Sequence, residues 1–382
     1  MLKFLQSVLN GRPSGHLSEA EPESTSPLPT SVEIPDAEVL SLEPIIKRVH
    51  GFPHFDWDAV YRWIDSLSDD KKPDAWAKCE RAWLAYLRDS MGAAYSLRES
   101  GDAVLLSSLP LNMAEATLEF MTKTESRILR VLGGVAQSAE WGMNILVVFD
   151  DHDAYYRYVS HFYPDSGEFA MSSGMHINAG CGHFVTVKDD LHAIEPVIAH
   201  EMVHGLVSHL PIPAWLNEGL AVNMEKRLSP SGQSLFSPHE MHAKHLDFWG
   251  ADEIQEFWSG KSFLRPDDGN MLSYDLARIL VDQLSADWPR FAKFVNDANL
   301  EDAGAGAAAQ HLDMDLGAAA SALLEKEFDA TWHPDPRKWI EPPEKGAFYP
   351  GAAQAARLNG CQVLQSPDSK WARRQLIGNH GR

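Results

Sequence analysis

Apolar residues recur along this chain in two periods, and the changes of period mark the elements. Trp57, Val60, Ile64 and Leu67 fall three and four apart, the spacing that lines one face of a helix. Pro73 breaks that pattern, and Trp76, Cys79, Trp83 and Tyr86 resume it in a second helix running to about Arg88. Ala103 to Leu106 reads as a strand. The next helix is expected from an Asn112 cap with Glu115 three residues on; it buries Leu118, Met121, Ile128 and Leu132 and stops at Gly133-Gly134. Asn144 to Phe149 (NILVVF) is a continuously apolar run of strand length, closed by the turn residues Asp150-Asp151. Gly174 to Val187, punctuated by glycine and rich in β-branched residues, reads as a hairpin or an edge strand. Helices follow at about 193–210, 217–227, 273–284 and 316–327. Strand signals precede the later helices, with the switch near residue 190, so the fold class is α+β and not a wound parallel sheet.

Outside this patterned middle the composition changes. Residues 11 to about 40 hold Pro13, Pro22, Pro27, Pro29 and Pro35 among Ser and Glu without periodicity, a stretch unable to bury enough apolar surface to fold. The organisation expected is a disordered leader (1–40), an N-terminal helical extension (41–100), a central domain (101–330) and a Pro-rich C-terminal tail (331–382). Trp339, Phe348 and Tyr349 could pin that tail to the body. No internal repeat is visible.

With 33 basic against 54 acidic residues, the 382-residue chain carries a formal charge of −21, which phosphate backbones would repel. Nucleic acid is therefore not expected as the main partner. Cys79, Cys181 and Cys361 are odd in number and far apart, with no CxxC pair, so neither a disulfide framework nor a thiolate metal site is expected. Met1 to Asn10 reads as a short amphipathic segment and not as a secretory signal. No stretch approaches the ~18 apolar residues of a membrane helix, so no membrane span is expected and the protein reads as soluble and cytoplasmic.

The chemistry gathers in Ala199-His200-Glu201-Met202-Val203-His204-Gly205. Residues four apart on a helix lie one turn above each other, so His200 and His204 can present two imidazole nitrogens to one metal. Glu201, one residue round, can deprotonate a metal-activated water. Pro196 is placed in the first turn of that helix. Beyond Pro211-Ile212-Pro213 comes Ala214-Trp215-Leu216-Asn217-Glu218-Gly219, where Glu218 opens a second helix and can swing back as third ligand. Alternatively Glu218 is only an acidic first-turn residue favoured by the helix dipole. Two His and one Glu leave a fourth tetrahedral position open, the arrangement of a catalytic zinc.

His200-Glu201-x-x-His204 followed by Trp215-Leu216-Asn217-Glu218-Gly219 resembles the gluzincin metallopeptidases, especially their compact bacterial peptidase-MA-like branch. The likeness covers roughly residues 100 to 330. It implies a zincin-like fold, a mixed-sheet upper lobe with the active-site helix facing a helical lower lobe. It also implies Zn2+ held by His200, His204 and Glu218, with Glu201 as general base and a peptide or protein as substrate. Related peptidases place a tyrosine after the glutamate ligand as oxyanion donor; Tyr274, read as lying at a helix start, is the candidate, with simple packing as its alternative. Asp275 beside it reads as a cap residue.

The resemblance has one gap. Gluzincin aminopeptidases carry a glutamate on the edge strand to hold the substrate's free amine, and here no carboxylate lies between Met171 and Gly182. Internal cleavage is therefore favoured, although Glu168 just upstream could supply the anion. His176 and His183 read as ordinary strand residues that could line the cleft, His209 as pointing away from the ligand face, and His242 and His245 as part of a solvated helical face. Two other functions stay open: a catalytically silent regulatory or scaffold protein on the zincin fold, and a metal-dependent hydrolase of a non-peptide amide. The oligomeric state is unassigned.

Overall fold

The computed structural model describes residues 27–162, 174–228 and 236–339. Two short antiparallel pairs come first, β1 (Ser31–Val32) with β2 (Leu40–Ser41) and β3 (Ile46–Val49) with β4 (Phe52–Phe55). Helices α1 (Trp57–Asp65) and α2 (Lys72–Met91) follow. The sheet strands are β5 (Ser96–Ser100), β6 (Ala103–Ser107), β7 (Asn144–Phe149), β8 (Gly174–Ile177) and β9 (His183–Val187). Helix α3 (Leu111–Val131) separates β6 from β7, and α4 (His152–Val159) follows β7. The remainder is helical: α5 (Leu191–Val207), α6 (Ala214–Leu228), α7 (Pro238–Phe248), α8 (Glu253–Ser259), α9 (Asp268–Leu284), α10 (Trp288–Asp297), α11 (Ala305–Leu312) and α12 (Leu316–Leu323).

The five-stranded sheet has the order β5-β6-β7-β9-β8. Its inner strands β6, β7 and β9 are parallel, and each edge strand is antiparallel to its neighbour. The sheet is thus mixed, and the α+β reading stands. The NILVVF run lacks alternation because both faces of its strand are buried. Leu105, Leu146, Val148 and Phe184 join the core that holds α3, α5 and the later helices. Val104, Leu106, Ile145, Val147, Phe149 and Val185 face the other way, into a core shared with Val32, Phe52, Trp63 and Trp83.

That second core corrects the domain boundaries. Val32, Ile34 and Leu40 are buried, so structure begins inside the stretch assigned to the leader. Residues 41–100 are also more than a helical extension, because they carry three strands and supply one of the sheet's two covering layers. The tail is anchored where it starts. Gln255 donates to the carbonyls of Thr331 (2.8 Å) and His333 (2.6 Å) and accepts from Asp335 N–H and the Trp339 indole. Phe348, Tyr349 and Cys361 lie outside the described residues.

Several element starts differ from the sequence reading for local reasons. Pro73 opens α2, where a missing N–H costs nothing. Asn112 caps nothing: α3 starts at Leu111 behind Pro110, without a side-chain cap. Asp190 caps α5 by accepting from Ala193 N–H, which leaves Pro196 in the second turn. α9 begins five residues earlier than expected, with Asp267 accepting from Gly269 N–H.

One buried group in α2 makes stability depend on pH. Glu80 is 2 % exposed, and burial pushes its carboxyl up to about 7 against hydrogen bonds from Trp76, Cys181 and Met143. A raised carboxyl favours the protonated native state, so its stabilisation is complete near pH 4 and is lost as pH rises to about 7. Denaturant unfolding of wild type and Glu80→Gln at pH 5 and pH 8 should show the wild-type advantage shrinking by about 3 kcal/mol at the higher pH. An unchanged difference would mean that Glu80 does not titrate in that window.

Candidate metal centre

Helix α5 carries three of the expected residues. His200 and His204 stand one turn apart with ring centroids 4.8 Å apart, and Glu201 lies between them in sequence. The fourth, Glu218, is on α6, and Gly219 beside it explains how that helix sits. A Cβ at Gly219 would meet Val281 Cγ2 at 2.5 Å and Ala277 O at 2.6 Å, so α6 and α9 approach too closely for any side chain there. Trp215 anchors the start of α6 by donating its indole N–H to Ala303 O at 3.0 Å.

The three ligand candidates converge. Glu218 Oε2 lies 3.2 Å from His200 Nε2 and 3.5 Å from His204 Nε2. Among the described residues His200, His204 and Glu218 form a group that could hold a metal ion. The outer nitrogens are also engaged: His200 Nδ1 donates to Glu225 Oε2 (3.1 Å) and His204 Nδ1 to Asn217 Oδ1 (2.9 Å). Those partner oxygens accept only, so each Nδ1 carries a proton, and each Nε2, facing the Glu218 oxygen, is the nitrogen that would bind a metal on giving up its own proton. Glu218 Oε2 is buried and makes no hydrogen bond of acceptable geometry. Ligand atoms at the corners of a zinc tetrahedron stand about 3.3 Å apart, given metal–ligand bonds of about 2.0–2.1 Å. The donor set could hold a metal ion, and the two spacings to Glu218 are close to that separation.

The electrostatics agree. Burial alone would lower the His200 imidazole, but Glu218, Glu225 and Glu201 hold it well above its ordinary value. His204 is raised in the same way, chiefly by Glu218. Glu218 is held far below the usual carboxylate range by the two imidazoles, despite its burial. Burial instead lifts Glu201, with Glu218 adding and the imidazoles opposing. Three carboxylates around two imidazoles make a pocket that favours a cation. The backbone N–H of His176 on β8 donates to the Glu201 carboxylate and orients it.

Tyr274 lies in the second turn of α9, not at its start. Its ring is 6.4 Å from that of His200 and packs edge-on against Phe263 at 5.2 Å. Asp275 is no cap. It accepts from His245 Nε2 at 3.1 Å and from Arg278 Nε at 2.9 Å, and these partners hold its carboxyl down at about 2 against burial. His245 is accordingly buried, and its Nδ1 accepts from the Trp249 indole at 2.9 Å, whereas His242 faces outward and pairs with Glu325. His183 bonds Tyr158 OH and Cys181 O in the core, and His209 bonds Gln137. His176 packs its ring over Gly205, where a Cβ would sit 3.2 Å from Nε2.

Sequence reasoning misses Glu225 and gives Asn217 no role. Glu225 follows Glu218 by seven residues, two turns along the same face, and that spacing is the available signal. Glu168 lies outside the described residues. Among the described residues no helix is long and apolar enough to cross a membrane. No family model matches the chain, and no curated protein matches it.

Proposed function

We propose that this protein is a zinc-dependent peptidase of gluzincin type. In this reading the sheet and α5 form the upper wall of a zincin-like cleft and the helices from α6 onward form its lower wall. The observation that carries it is the convergence of His200, His204 and Glu218 with the buried carboxylate of Glu201 alongside. A zinc ion there would act as a Lewis acid on water and on the scissile carbonyl.

The chain's own residues do the rest. Glu201 takes the proton of the attacking water on its carboxylate, held in place by His176 N–H, and passes it to the leaving amine. A carboxyl raised by burial is a better proton acceptor at neutral pH than an ordinary one. Glu225 and Asn217 fix the orientation of the two imidazoles. Tyr274, whose ring lies 6.4 Å from that of His200, is the candidate to donate its hydroxyl to the developing oxyanion. Among the described residues strand β8 is an edge of the sheet and packs beside α5, so in this reading it lines one side of the cleft.

No carboxylate lies between Gly174 and Gly182 to capture an α-amine, so cleavage should be internal. The expected outcome is faster turnover of longer, blocked peptides than of single amino-acid amides. Comparing one peptide with its N-terminus free and acetylated checks this. Loss of cleavage on acetylation would make the protein an aminopeptidase with an amine anchor elsewhere.

A further inference from the structure

The β8–β9 hairpin packs beside α5 and is held by residues that are not among the candidate metal ligands. Glu80 is central to that hold. Its Oε1 accepts from the Trp76 indole at 2.7 Å and from Cys181 Sγ at 3.6 Å, and its Oε2 accepts from Met143 N–H at 3.1 Å. These donors belong to α2, to the hairpin turn and to the segment leading into β7. The same turn is gripped twice more. Tyr61 OH donates to Gly180 O at 2.8 Å, and Gly180, at φ +78°, leaves no room for a Cβ because Trp57 side-chain atoms would lie 2.1–2.5 Å from it.

The constraint then runs back along β8 to α5. Gly174 sits so close that a Cβ would meet Val197 Cγ1 at 2.2 Å, and His176 bonds Glu201 through its backbone while its ring covers Gly205. A buried carboxyl with no cation bonded to it is costly to desolvate, and removing it alone would strand the Trp76 indole N–H and the Met143 N–H without an acceptor. That cost is intelligible if the group orders a segment whose position matters.

We propose that Glu80 is a positioning residue: by gripping Cys181 and the segment before β7 it fixes the β8–β9 hairpin, and so sets His176 N–H against the Glu201 carboxylate. The effect on turnover rests on the peptidase reading, whereas the effect on the hairpin does not.

The test uses the full-length, zinc-loaded protein and three variants. Glu80→Gln keeps an acceptor for Trp76 and Cys181 but turns an amide NH2 toward Met143. Glu80→Leu removes every contact, and Cys181→Ala removes the hairpin's contact alone. Hydrogen exchange read by mass spectrometry should show protection of residues 174–187 falling about tenfold in Glu80→Leu and less in Glu80→Gln, with α5, α6 and zinc content unchanged. Turnover should follow, kcat falling about tenfold in Glu80→Leu and by more than KM rises. Unaltered hairpin protection in Glu80→Leu overturns the proposal. If that variant loosens the whole fold, Cys181→Ala decides: loosening confined to the hairpin supports the proposal, and no change overturns it. A loosened hairpin with wild-type kcat refutes the link to Glu201. A loosened hairpin in a protein that cleaves no peptide leaves the hairpin hold standing and removes the peptidase reading instead.

Discussion

Glu201→Gln should retain its zinc and lose turnover by a factor of about 10²–10⁴, the usual contribution of a general base. The substitution preserves size and helix propensity, so α5 and its two imidazoles stay where they are. The glutamine oxygen can still accept from His176 N–H. What disappears is a group that can take a proton from water and return it to the leaving amine. Paired measurements of bound zinc and kcat on a blocked peptide separate the two effects. Wild-type turnover in this variant would eliminate Glu201 as the base, and with it the mechanism built on that residue.

The second large effect is on metal binding itself. Wild-type protein should bind close to one zinc per chain, removable by chelators, and His204→Ala or Glu218→Ala should lose most of it. In both variants the converging set drops to two donors, and the loss of Glu218 also takes away the anion facing both imidazoles. Glu225→Gln should act more mildly. Its amide oxygen can still accept from His200 Nδ1 but lacks the charge, so affinity should fall by about 10–100-fold, as for other residues backing a metal ligand. Metal analysis after dialysis against a zinc buffer checks the series. A native, metal-free protein that takes up no added zinc would sink the assignment of all three ligands.

Much of the site is legible in the sequence, because its spacing is local. His200 and His204 share a face through the helical repeat alone, and a short turn before a new helix points to Glu218, although α6 starts at Ala214 and puts Glu218 in its second turn and not at its start. Glu225 is not legible there, since its contact with His200 depends on how α5 and α6 cross. Asp275 and His245 mislead for the same reason. Local pattern suggests a cap and a solvated face, yet the contact between α7 and α9 puts the two side chains against each other inside the protein. The two short strand pairs between Ser31 and Phe55 leave no trace in the pattern because two to four residues carry no measurable period.

By itself the sequence determined the alternation of strands and helices in the middle of the chain, the apolar strand Asn144–Phe149, and the residues that turn toward a common point on α5. Those properties follow from backbone repeats over one or two turns, which composition and spacing record directly. Only the tertiary structure decided that residues 31–91 cover one face of the sheet, that Glu225 and Asn217 back the imidazoles, and that Glu80 grips the hairpin behind Glu201. Most of these contacts join segments tens of residues apart. Such contacts depend on how closely whole elements approach, as Gly219 permits between α6 and α9, and no local period encodes that distance.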